Sequence, residues 1–418
     1  MLSVLINAYA CSPNMGSEPG MAWNWCVNLA NHCELHIITE GEFRDNIESA
    51  LPLIPQGKNM HFYYNPVSEE IRKMCWNQGD WRFYKYYREW QYKTLQIAKS
   101  IIQEHQIDII HQLNMIGFRE PGFLWKIENI PFIWGPIGGL MDIPLNYIAL
   151  QNVKRKIIAY LKTTLNVLQV KYHPRVKKAL QKSSFIIGAA RESVEKIERY
   201  YGKKVILINE AGCYIKNTCA DRTDEDDGIF HIVWVGRFLY TKKLDLALRT
   251  ISKLNHLKNI KFHIVGSGNE KDVESYKRLE NALNINDVCV WHGNVSHATV
   301  QNIMQKSDIL FFTSIAEGTP HVVLEAINNC LPVVCFDCCG HGDSVNEEVG
   351  LKIKLSNPQQ SIDEFAANIE YLYHNRDILL EKSKNCIGRQ KELSWGNKAT
   401  QMVYLYRKAI EIFNNHQV

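Results

Sequence analysis

Residues 317–326, EGTPHVVLEA, follow an apolar run at 308–312 that is typical of a buried strand in a parallel sheet. After a short loop, residues 321–327 predict the start of a helix. A strand, a loop and a helix start favour anion binding, because the first N–H groups of a helix lack partners and carry its positive dipole end. Glu317 and Glu325 lie in the loop and the helix, so we expect different roles for them. Taken alone, the pair would be two solvated surface glutamates.

Length and composition predict a globular protein of two domains. The chain has 418 residues, 46% hydrophobic and 22% charged, and its net charge of +4 is too small to indicate nucleic acid. Its twelve cysteines have no regular spacing and predict reduced thiols. The sequence shows neither a secretory leader nor an apolar stretch near the roughly 20 residues of a membrane span. We therefore expect a cytoplasmic protein that meets a membrane only from its surface.

In the first half of the chain, predicted strands end in loops that carry glycine or polar residues. Residues 4–8 predict a strand, and the loop 11–20, which contains Gly16, precedes a predicted helix. This is a phosphate-binding geometry without the usual glycine fingerprint, and an ordinary connection from strand to helix explains it equally well. Residues 107–112 predict a strand with His111 near its carboxyl end, where parallel sheets bind ligands, although a single histidine there is more often structural.

Two stretches of the first half are rich in cations. Residues 74–100 interleave aromatic rings with arginine and lysine. A helix that packs its rings on a core explains them, and the alternative is a wall of an acceptor site where rings stack on sugars or lie against lipid. Residues 151–190 carry nine cations, no carboxylate, and apolar residues at helical spacing. This second stretch predicts either a contact with an anionic membrane surface or a solvated helix face.

The second half resumes the alternation of strands and helices after an acidic segment, residues 221–228, that predicts a linker. Three predicted strands then end in loops that carry glycine, namely residues 230–235, 261–265 and 288–291. Arg237 and Lys242 follow the first of them and could hold a diphosphate, although surface cation pairs are common. We expect these loops to line one crevice that accepts a base and a ribose.

Seven motifs over nearly the whole chain resemble those of the retaining family 4 glycosyltransferases, which have the GT-B fold. They are GSEPGMAWNW at 16–25, IIHQLN at 109–114, WGPIGG at 134–139, VGRFLYTKK at 235–243, IVGSG at 264–268, HGNVSHATVQ at 292–301 and EGTPHVVLEA at 317–326. The resemblance implies an α/β protein of two facing Rossmann-like domains with parallel sheets and a C-terminal helix that crosses back to the N-terminal domain. The predicted parts are an acceptor-side domain at 1–209, a linker at 210–228, a nucleotide-sugar-binding domain at 229–395 and the returning helix at 396–418.

The resemblance also implies roles for individual residues. Glu317 would lie beside the donor sugar, and His111 would lie near the sugar and the acceptor. Arg237 and Lys242 would hold the donor diphosphate, and these four residues form the predicted catalytic set. Glu325 would contact the ribose. The other predicted donor-binding residues are Gly16, Gly236, Gly266, Val295, Gly318, Thr319, His321, Val322 and Val323. The predicted acceptor-side residues are Glu18, Arg119 and Gly138.

One position departs from the family pattern. The family often has glycine directly after the diphosphate-binding lysine, and this chain has Lys243 there. The sequence therefore does not decide whether Lys242 or Lys243 reaches the phosphate.

The resemblance implies a retaining glycosyltransferase that moves a sugar from a UDP- or GDP-sugar to a hydroxyl of a glycan or lipid-linked acceptor. It implies front-face attack rather than a glutamate nucleophile, and it requires no metal or other cofactor. We expect a role in bacterial cell-surface polysaccharide or lipopolysaccharide synthesis, in the cytoplasm or peripherally on the inner face of the membrane. Two alternatives stay open: a GT-B phosphorylase or epimerase that acts on sugars, and a non-catalytic sugar-nucleotide-binding subunit.

Overall fold

The structure is a computed structural model that describes residues 1–77, 80–148, 153–216 and 227–415, apart from the side chain of Arg155. It divides into two compact units. The first unit comprises Met1–Leu140, Thr164–Glu210 and Trp395–Val418, and the second comprises Met141–Thr163 and Ala211–Ser394. Residues 141–163, which we included in the predicted domain 1–209, thus belong to the second unit. Within the predicted linker 210–228, residues 217–226 lie outside the described residues, and the functional domain limits stay a prediction.

As far as residue 210, and with two pairs of successive helices and one pair of successive strands as the exceptions, strands and helices alternate along the chain. In order they are β1 (Leu2–Ala8), α1 (Ser17–Leu29), β2 (Cys33–Thr39), α2 (Arg44–Ala50), β3 (Met60–Tyr64), α3 (Glu69–Trp76), α4 (Phe83–Glu104), β4 (Ile109–Asn114), β5 (Phe132–Ile137), α5 (Val153–Tyr172), α6 (Pro174–Lys182), β6 (Phe185–Gly188), α7 (Arg191–Tyr201) and β7 (Val205–Leu207). The strands form a parallel sheet in the order β3-β2-β1-β4-β5-β6-β7.

The strand order reverses between β1 and β4, where Ile6 is paired with His111. In parallel α/β sheets this switch point, beyond the carboxyl ends of the two strands, is where ligands bind. The loop that contains Gly16 follows β1, and the loop that contains Arg119 follows β4. The topology therefore brings the Gly16 loop, predicted on the donor side, and the Arg119 loop, predicted on the acceptor side, to the ligand-binding edge of this sheet.

Helix α4 accounts for much of the aromatic stretch at 74–100. Phe83, Tyr87 and Trp90 follow one another at helical spacing and are buried. Their rings surround Tyr9, at centroid distances of 5.7, 5.2 and 4.9 Å. These buried rings fit the prediction of a helix that packs aromatics on the core, while other rings of the stretch, such as Trp81, are exposed.

The second unit repeats the same architecture. Its elements are β8 (Phe230–Val235), α8 (Leu244–Lys253), β9 (Ile260–Val265), α9 (Glu270–Ala282), β10 (Cys289–Gly293), α10 (His297–Gln305), β11 (Ile309–Phe312), α11 (His321–Asn328), β12 (Val333–Phe336), α12 (Cys339–Ser344), β13 (Gly350–Ile353), α13 (Pro358–His374) and α14 (Arg376–Glu392). The parallel sheet has the order β10-β9-β8-β11-β12-β13, so its switch point lies between β8 and β11. The Arg237 loop follows β8 and the Glu317 loop follows β11, which brings them to one edge.

The last helix, α15 (Trp395–Asn415), belongs to the first unit. Its Trp395 ring packs edge-on against Trp25 with centroids 6.1 Å apart, and Lys398 Nζ donates to the carbonyl of Asn209 at 3.1 Å. The prediction that the C-terminal helix returns to the N-terminal domain is therefore confirmed.

Two whole-chain expectations can be compared with the described residues. In that part of the chain, no helix is both long and apolar enough to cross a bilayer. Ten of the described cysteines are free thiols. Cys330 is disulfide-bonded, so the expectation of twelve reduced thiols is wrong at that position.

Candidate functional site

Lys242 and Glu317 form an ion pair at the carboxyl end of the second sheet. Lys242 Nζ lies 2.5 Å from Glu317 Oε1, and their side chains are only 15% and 19% exposed. Ser314 Oγ donates to the same carboxyl oxygen at 2.9 Å. The ammonium group also lies 5.2 Å from the ring centroid of Phe312, the last residue of β11. Low exposure and several partners hold this pair in one geometry, unlike an exposed salt bridge.

Hydrogen bonds tie the Lys242 loop to the end of β11. Thr313 Oγ1 donates to the carbonyl of Lys242 at 2.7 Å, and Ser314 Oγ, whose proton goes to Glu317, lies 3.2 Å from the carbonyl oxygen of Thr241. The backbone N–H of Ile315 also donates to Thr241 at 2.9 Å. These bonds fix the position of the Lys242 ammonium relative to the Glu317 loop.

Lys243 has a different environment. Its backbone is left-handed, with φ of +54°, at the N-cap of α8. Its Nζ donates to the carbonyl of Tyr147 at 3.2 Å and lies 2.8 Å from Asp245 Oδ2. A left-handed φ is easiest for glycine, which explains the family preference at this position. The structure thus places Lys242, not Lys243, against Glu317.

Arg237 stands beside two loops that approach each other closely. Gly266 has a φ of +129°, and a Cβ there would lie 2.0 Å from the carbonyl oxygen of Gly236. The backbone N–H of Gly236 donates to Val265, and that of Gly266 donates to Gly293. The Arg237 side chain is exposed and forms no ion pair with any described residue. A guanidinium without a carboxylate partner can bind an incoming anion.

The N-terminus of α11 lacks a side-chain cap, because Pro320 is its N-cap. Val323 N–H donates to the carbonyl of Pro320 at 3.1 Å, and its side chain is buried, so Val323 is engaged within the fold. Among the described hydrogen bonds, none uses the N–H groups of His321 and Val322. Those two amides are therefore the best placed for an anion, with Gly318 half-buried in the preceding loop.

Glu325 is held by helix α10. Its Oε1 lies 3.3 Å from His297 Nε2, and its Oε2 accepts from Gln301 Nε2 at 3.2 Å. The helix α10 follows the loop that contains the half-buried Val295. Glu317 contacts a lysine and a serine, whereas Glu325 contacts a histidine and an amide, so the expected difference between their environments is present.

His341 is a member of this edge that the sequence did not assign to the donor site. It is fully buried, its ring lies edge-on to Phe312 at 5.1 Å, and its Nε2 lies 3.5 Å from Cys338 Sγ. Burial, helped by Lys242 and Lys352, lowers the pKa of His341 to about 3. A neutral imidazole thus supports the same phenylalanine that Lys242 covers. The sequence signal that could have identified His341 was the loop with glycine that follows β12.

The loop that contains Gly318 and Thr319 also packs against Gly340, which is next to His341 in the chain. Gly340 N–H donates to the carbonyl of Gly318 at 3.1 Å, and a Cβ on Gly340 would lie 2.7 Å from Thr319 Cα. Thr319 itself is buried. Only glycine at position 340 lets the two loops come this close.

In the first unit, the carboxyl group of the predicted site residue Glu18 has a shifted pKa. Its Oε1 accepts from Ile116 N–H at 3.2 Å, while its Oε2 is buried without a described partner. Burial raises the pKa of Glu18 to about 7, and Glu210 adds to the rise against the opposing hydrogen bond from Ile116. Such a carboxyl exchanges protons near neutral pH. Gly16, the N-cap of the same helix, is exposed with open space around it.

Gly138 and Glu18 both form hydrogen bonds with the backbone of Ile116. Its N–H donates to the carbonyl of Ile116 at 2.7 Å, and a Cβ on Gly138 would lie 3.1 Å from Ile116 Cδ1. The structure therefore brings Glu18 and Gly138 together around Ile116, and their acceptor-side role stays a prediction.

His111 and Arg119 are engaged within the fold. His111 Nδ1 lies 2.6 Å from Tyr406 Oη, and its Nε2 lies 2.7 Å from the carbonyl of Gly135. Because a carbonyl only accepts, Nε2 carries the proton and Nδ1 accepts from Tyr406. Burial lowers the pKa of His111 to about 4. Both ring nitrogens are occupied, so the geometry favours a structural His111, and its predicted catalytic role stays a prediction.

Arg119 points to helix α5. Its Nε donates to Gln169 Oε1 at 2.7 Å, and its Nη2 donates to Asn166 Oδ1. Burial lowers the pKa of its guanidinium. Arg119 therefore anchors a helix, and a contact with an acceptor would compete with these hydrogen bonds.

Sequence comparison gives one family and several relatives. Residues 219–393 match the model described as "Glycosyl transferases group 1". An uncharacterized glycosyltransferase of Methanocaldococcus jannaschii is 26% identical over 185 residues, which cover 43% of this chain and 45% of that protein. A lipopolysaccharide 1,6-galactosyltransferase of Escherichia coli K12 is 34% identical over 122 residues, which cover 28% and 33%. The chain thus spans less than half the length of the curated relatives it matches.

Solved structures resemble the chain over nearly its whole length. Sucrose-phosphate synthase from Thermosynechococcus elongatus has a TM-score of 0.64 at 15% identity, covering 99% of this chain and all of that one. The Anabaena protein HepE, solved in complex with UDP, has a TM-score of 0.63 at 12% identity, covering 98% and 100%. At such identities the likeness shows the fold alone. The fold is GT-B, with two Rossmann-like parallel sheets, as predicted.

Proposed function

We propose, from the match of residues 219–393 to the glycosyl transferases group 1, that the whole chain is a retaining glycosyltransferase. It moves a sugar from a nucleotide-diphosphate sugar to a hydroxyl of a glycan or lipid-linked acceptor. The family match confirms the resemblance to glycosyltransferases drawn from the sequence motifs. Retention, independence of metal and the identities of donor and acceptor belong to the proposal.

The Lys242–Glu317 ion pair carries this proposal. Transfer from a nucleotide sugar develops negative charge on the departing diphosphate and positive charge at the sugar carbon. Lys242, the exposed Arg237 and the uncapped start of α11 supply positive potential at one edge of the sheet. Glu317 supplies a carboxylate beside them. One site thus offers charges of both signs, as the transition state requires.

Glu317 is proposed to stabilise charge and hold sugar hydroxyls, not to form a covalent bond. Lys242 and Ser314 both contact its Oε1, which lowers the nucleophilicity of that oxygen. Front-face attack by the acceptor hydroxyl, with its proton passing to the departing phosphate, requires no enzyme nucleophile. The outcome is retention at the sugar carbon.

Uridine or guanosine is the proposed donor base, and HepE supports uridine because that protein was solved with UDP. Glu325 is proposed on the ribose, with Gly236, Gly266 and Val295 around the nucleotide. The first-unit residues Glu18 and Gly138 are proposed on the acceptor side, where a carboxyl with a pKa near neutrality could exchange a proton with a hydroxyl.

We further propose that the acceptor belongs to bacterial cell-surface polysaccharide or lipopolysaccharide synthesis. One relative is named a lipopolysaccharide galactosyltransferase, which supports that setting. The enzyme would act in the cytoplasm, on the inner face of the membrane, with residues 151–190 as a contact to an anionic membrane surface.

The test compares Glu317→Gln and Arg237→Ala with Arg249→Ala, a matched change of an exposed arginine on α8. Donor turnover and binding of UDP- and GDP-sugars are measured for each variant, with thermal melts to show that each is folded. We expect Glu317→Gln to lose turnover by about a hundredfold or more, as for removal of a transition-state contact, and to keep donor binding. Arg237→Ala should lose both, and Arg249→Ala neither.

The same assay separates the alternatives. A phosphorylase would release sugar phosphate when inorganic phosphate and a glycan are supplied, and an epimerase would change the nucleotide sugar without an acceptor. A non-catalytic subunit would bind the donor and keep it intact in every variant. Near-wild-type turnover in Glu317→Gln would refute the assigned role.

A further inference from the structure

Helix α5 turns an apolar stripe toward solvent. Ile157, Leu161, Leu165, Leu168 and Tyr172 follow one another at intervals of four, four, three and four residues and therefore share one face. Each of these side chains is about half exposed, between 46% and 61%. A helix of a globular protein normally turns such a stripe to the core. We call these five side chains the apolar stripe.

The helix is fastened to the protein by its opposite face. Ala159, Asn166 and Val170 are buried and lie at helical spacing about half a turn from the apolar stripe. Arg119 donates to Asn166 and Gln169, as described above. The stripe is therefore not a core face that failed to pack, because another face of α5 already serves that purpose.

Cations surround the apolar stripe. Lys154, Lys162 and Lys171 on α5, with Lys177 and Lys178 on the next helix, are exposed. None of these five lysines is paired with a carboxylate in the described part of the chain. The sequence from 143 to 191 contains no aspartate or glutamate at all. The surface thus combines exposed apolar groups with uncompensated positive charge.

We propose that this face of α5 docks on an anionic lipid bilayer, with the apolar stripe inserted at the level of the headgroups. The positive charge of this face distinguishes between a second copy of the chain and a bilayer as its partner. Two copies of the chain joined through their stripes would bring their lysines together, which is unfavourable. An anionic bilayer suits both the apolar stripe and the lysines. The apolar side chains insert at the boundary between headgroups and acyl chains, and the anionic headgroups attract the lysines. From Ile157 to Tyr172 the stripe gives a contact about 22 Å long.

This inference deepens the proposed function by committing the acceptor to a membrane surface, and that commitment rests on the proposed function. The docking itself does not, because the apolar stripe and its lysines are separate from the donor-site residues. Arg119 acquires a specific role here: it positions α5 through Asn166 and Gln169.

The test measures co-flotation of the full chain with vesicles. One set is phosphatidylcholine alone, and the other contains about one third phosphatidylglycerol, an anionic lipid. Two double variants address the two components: Leu161→Asn with Leu165→Asn, and Lys162→Glu with Lys171→Glu. Matched controls place the same changes elsewhere: Leu53→Asn with Leu380→Asn, which are also exposed leucines, and Lys99→Glu with Lys271→Glu.

We expect the wild type and both controls to bind the anionic vesicles and to bind phosphatidylcholine weakly. Each α5 variant should lose roughly tenfold or more in vesicle partition. Circular dichroism melts and donor binding without vesicles should match the wild type, which keeps a failure of docking distinct from a failure of the proposed donor chemistry.

Three results would overturn the inference. One is an absence of binding to anionic vesicles. Another is binding that the α5 variants reduce no more than their controls do. The last is a dimer in analytical ultracentrifugation that the leucine variant dissociates, which would assign the stripe to a second copy.

Discussion

The raised pKa of Glu18 makes the stability of the first unit depend on pH in a way that one substitution removes. The pKa is about 7 in the folded protein, against an ordinary value of 4.5. Between these values the folded state holds a proton that the unfolded chain has released, so stability falls as pH rises through this window. Each pH unit is worth about 1.4 kcal/mol, so the ionised carboxylate costs the folded state roughly 3 kcal/mol above pH 7.

Glu18→Gln keeps the acceptor for Ile116 N–H and removes the ionisation. We therefore expect the variant to gain stability relative to the wild type as pH rises, by roughly 2–3 kcal/mol from about pH 5 to about pH 8. The assay is urea unfolding of both proteins in parallel across this range, reported as the difference between them. Glu195→Gln, which changes an exposed glutamate of the same unit, is the control.

Parallel pH profiles for Glu18→Gln and the wild type would refute the reasoning, because they would mean that the folded protein ionises Glu18 as easily as the unfolded chain does. A control variant with the same pH-dependent gain would refute it as well, since the effect would then come from net charge. Turnover of Glu18→Gln at its own optimum pH tests the proposed acceptor-side role separately.

Three further predictions follow from the described contacts. Lys242→Ala should weaken donor binding by about 10–100-fold, the value of a charged hydrogen bond, while Lys243→Gly should stay within about twofold of the wild type. Titration calorimetry with the nucleotide measures both, and equal losses would mean that both lysines bind the diphosphate. His111→Phe leaves Tyr406 and Gly135 without their partner, so urea unfolding should show a loss of about 2–4 kcal/mol with turnover per folded molecule retained, and the reverse pattern would restore its catalytic role. His263 Nε2 lies 2.8 Å from His231 Nδ1, and its Nδ1 lies 2.9 Å from His292 Nε2. Burial, together with these two neighbouring histidines, lowers the pKa of His263 to about 4. Stability should therefore fall as pH drops from about 6.5 to 4, less so in His263→Gln, and melts with equal pH dependence in both proteins would contradict this.

The central strands of each sheet and the ligand-binding edge could be predicted from the sequence. Buried parallel strands are continuous apolar runs, and the residues that end them are glycine or polar, so the loops at Gly236 and Glu317 could be located in advance. The edge strands β3 and β13 were not predicted. Most of their side chains are half-buried, and a mixed pattern of that kind resembles a loop.

Contacts between distant residues could not be read in the same way. The partner of His111 is Tyr406, which lies 295 residues further on, and no local pattern links them. The choice between Lys242 and Lys243 depended on a backbone φ, which the residue type alone did not give, since lysine rarely adopts it. The role of Arg119 likewise depended on where α5 packs.

The return of α15 to the first unit has a consequence for synthesis on the ribosome. Trp25 and His111 leave the exit tunnel early, whereas Trp395 and Tyr406 are translated only after the entire second unit. Until then the N-terminal sheet lacks the helix that covers these residues and remains a target for chaperones and proteases. Completion of the N-terminal unit thus has to follow synthesis of the second unit, and a ribosome that stops before residue 395 releases a chain in which the N-terminal unit is unfinished.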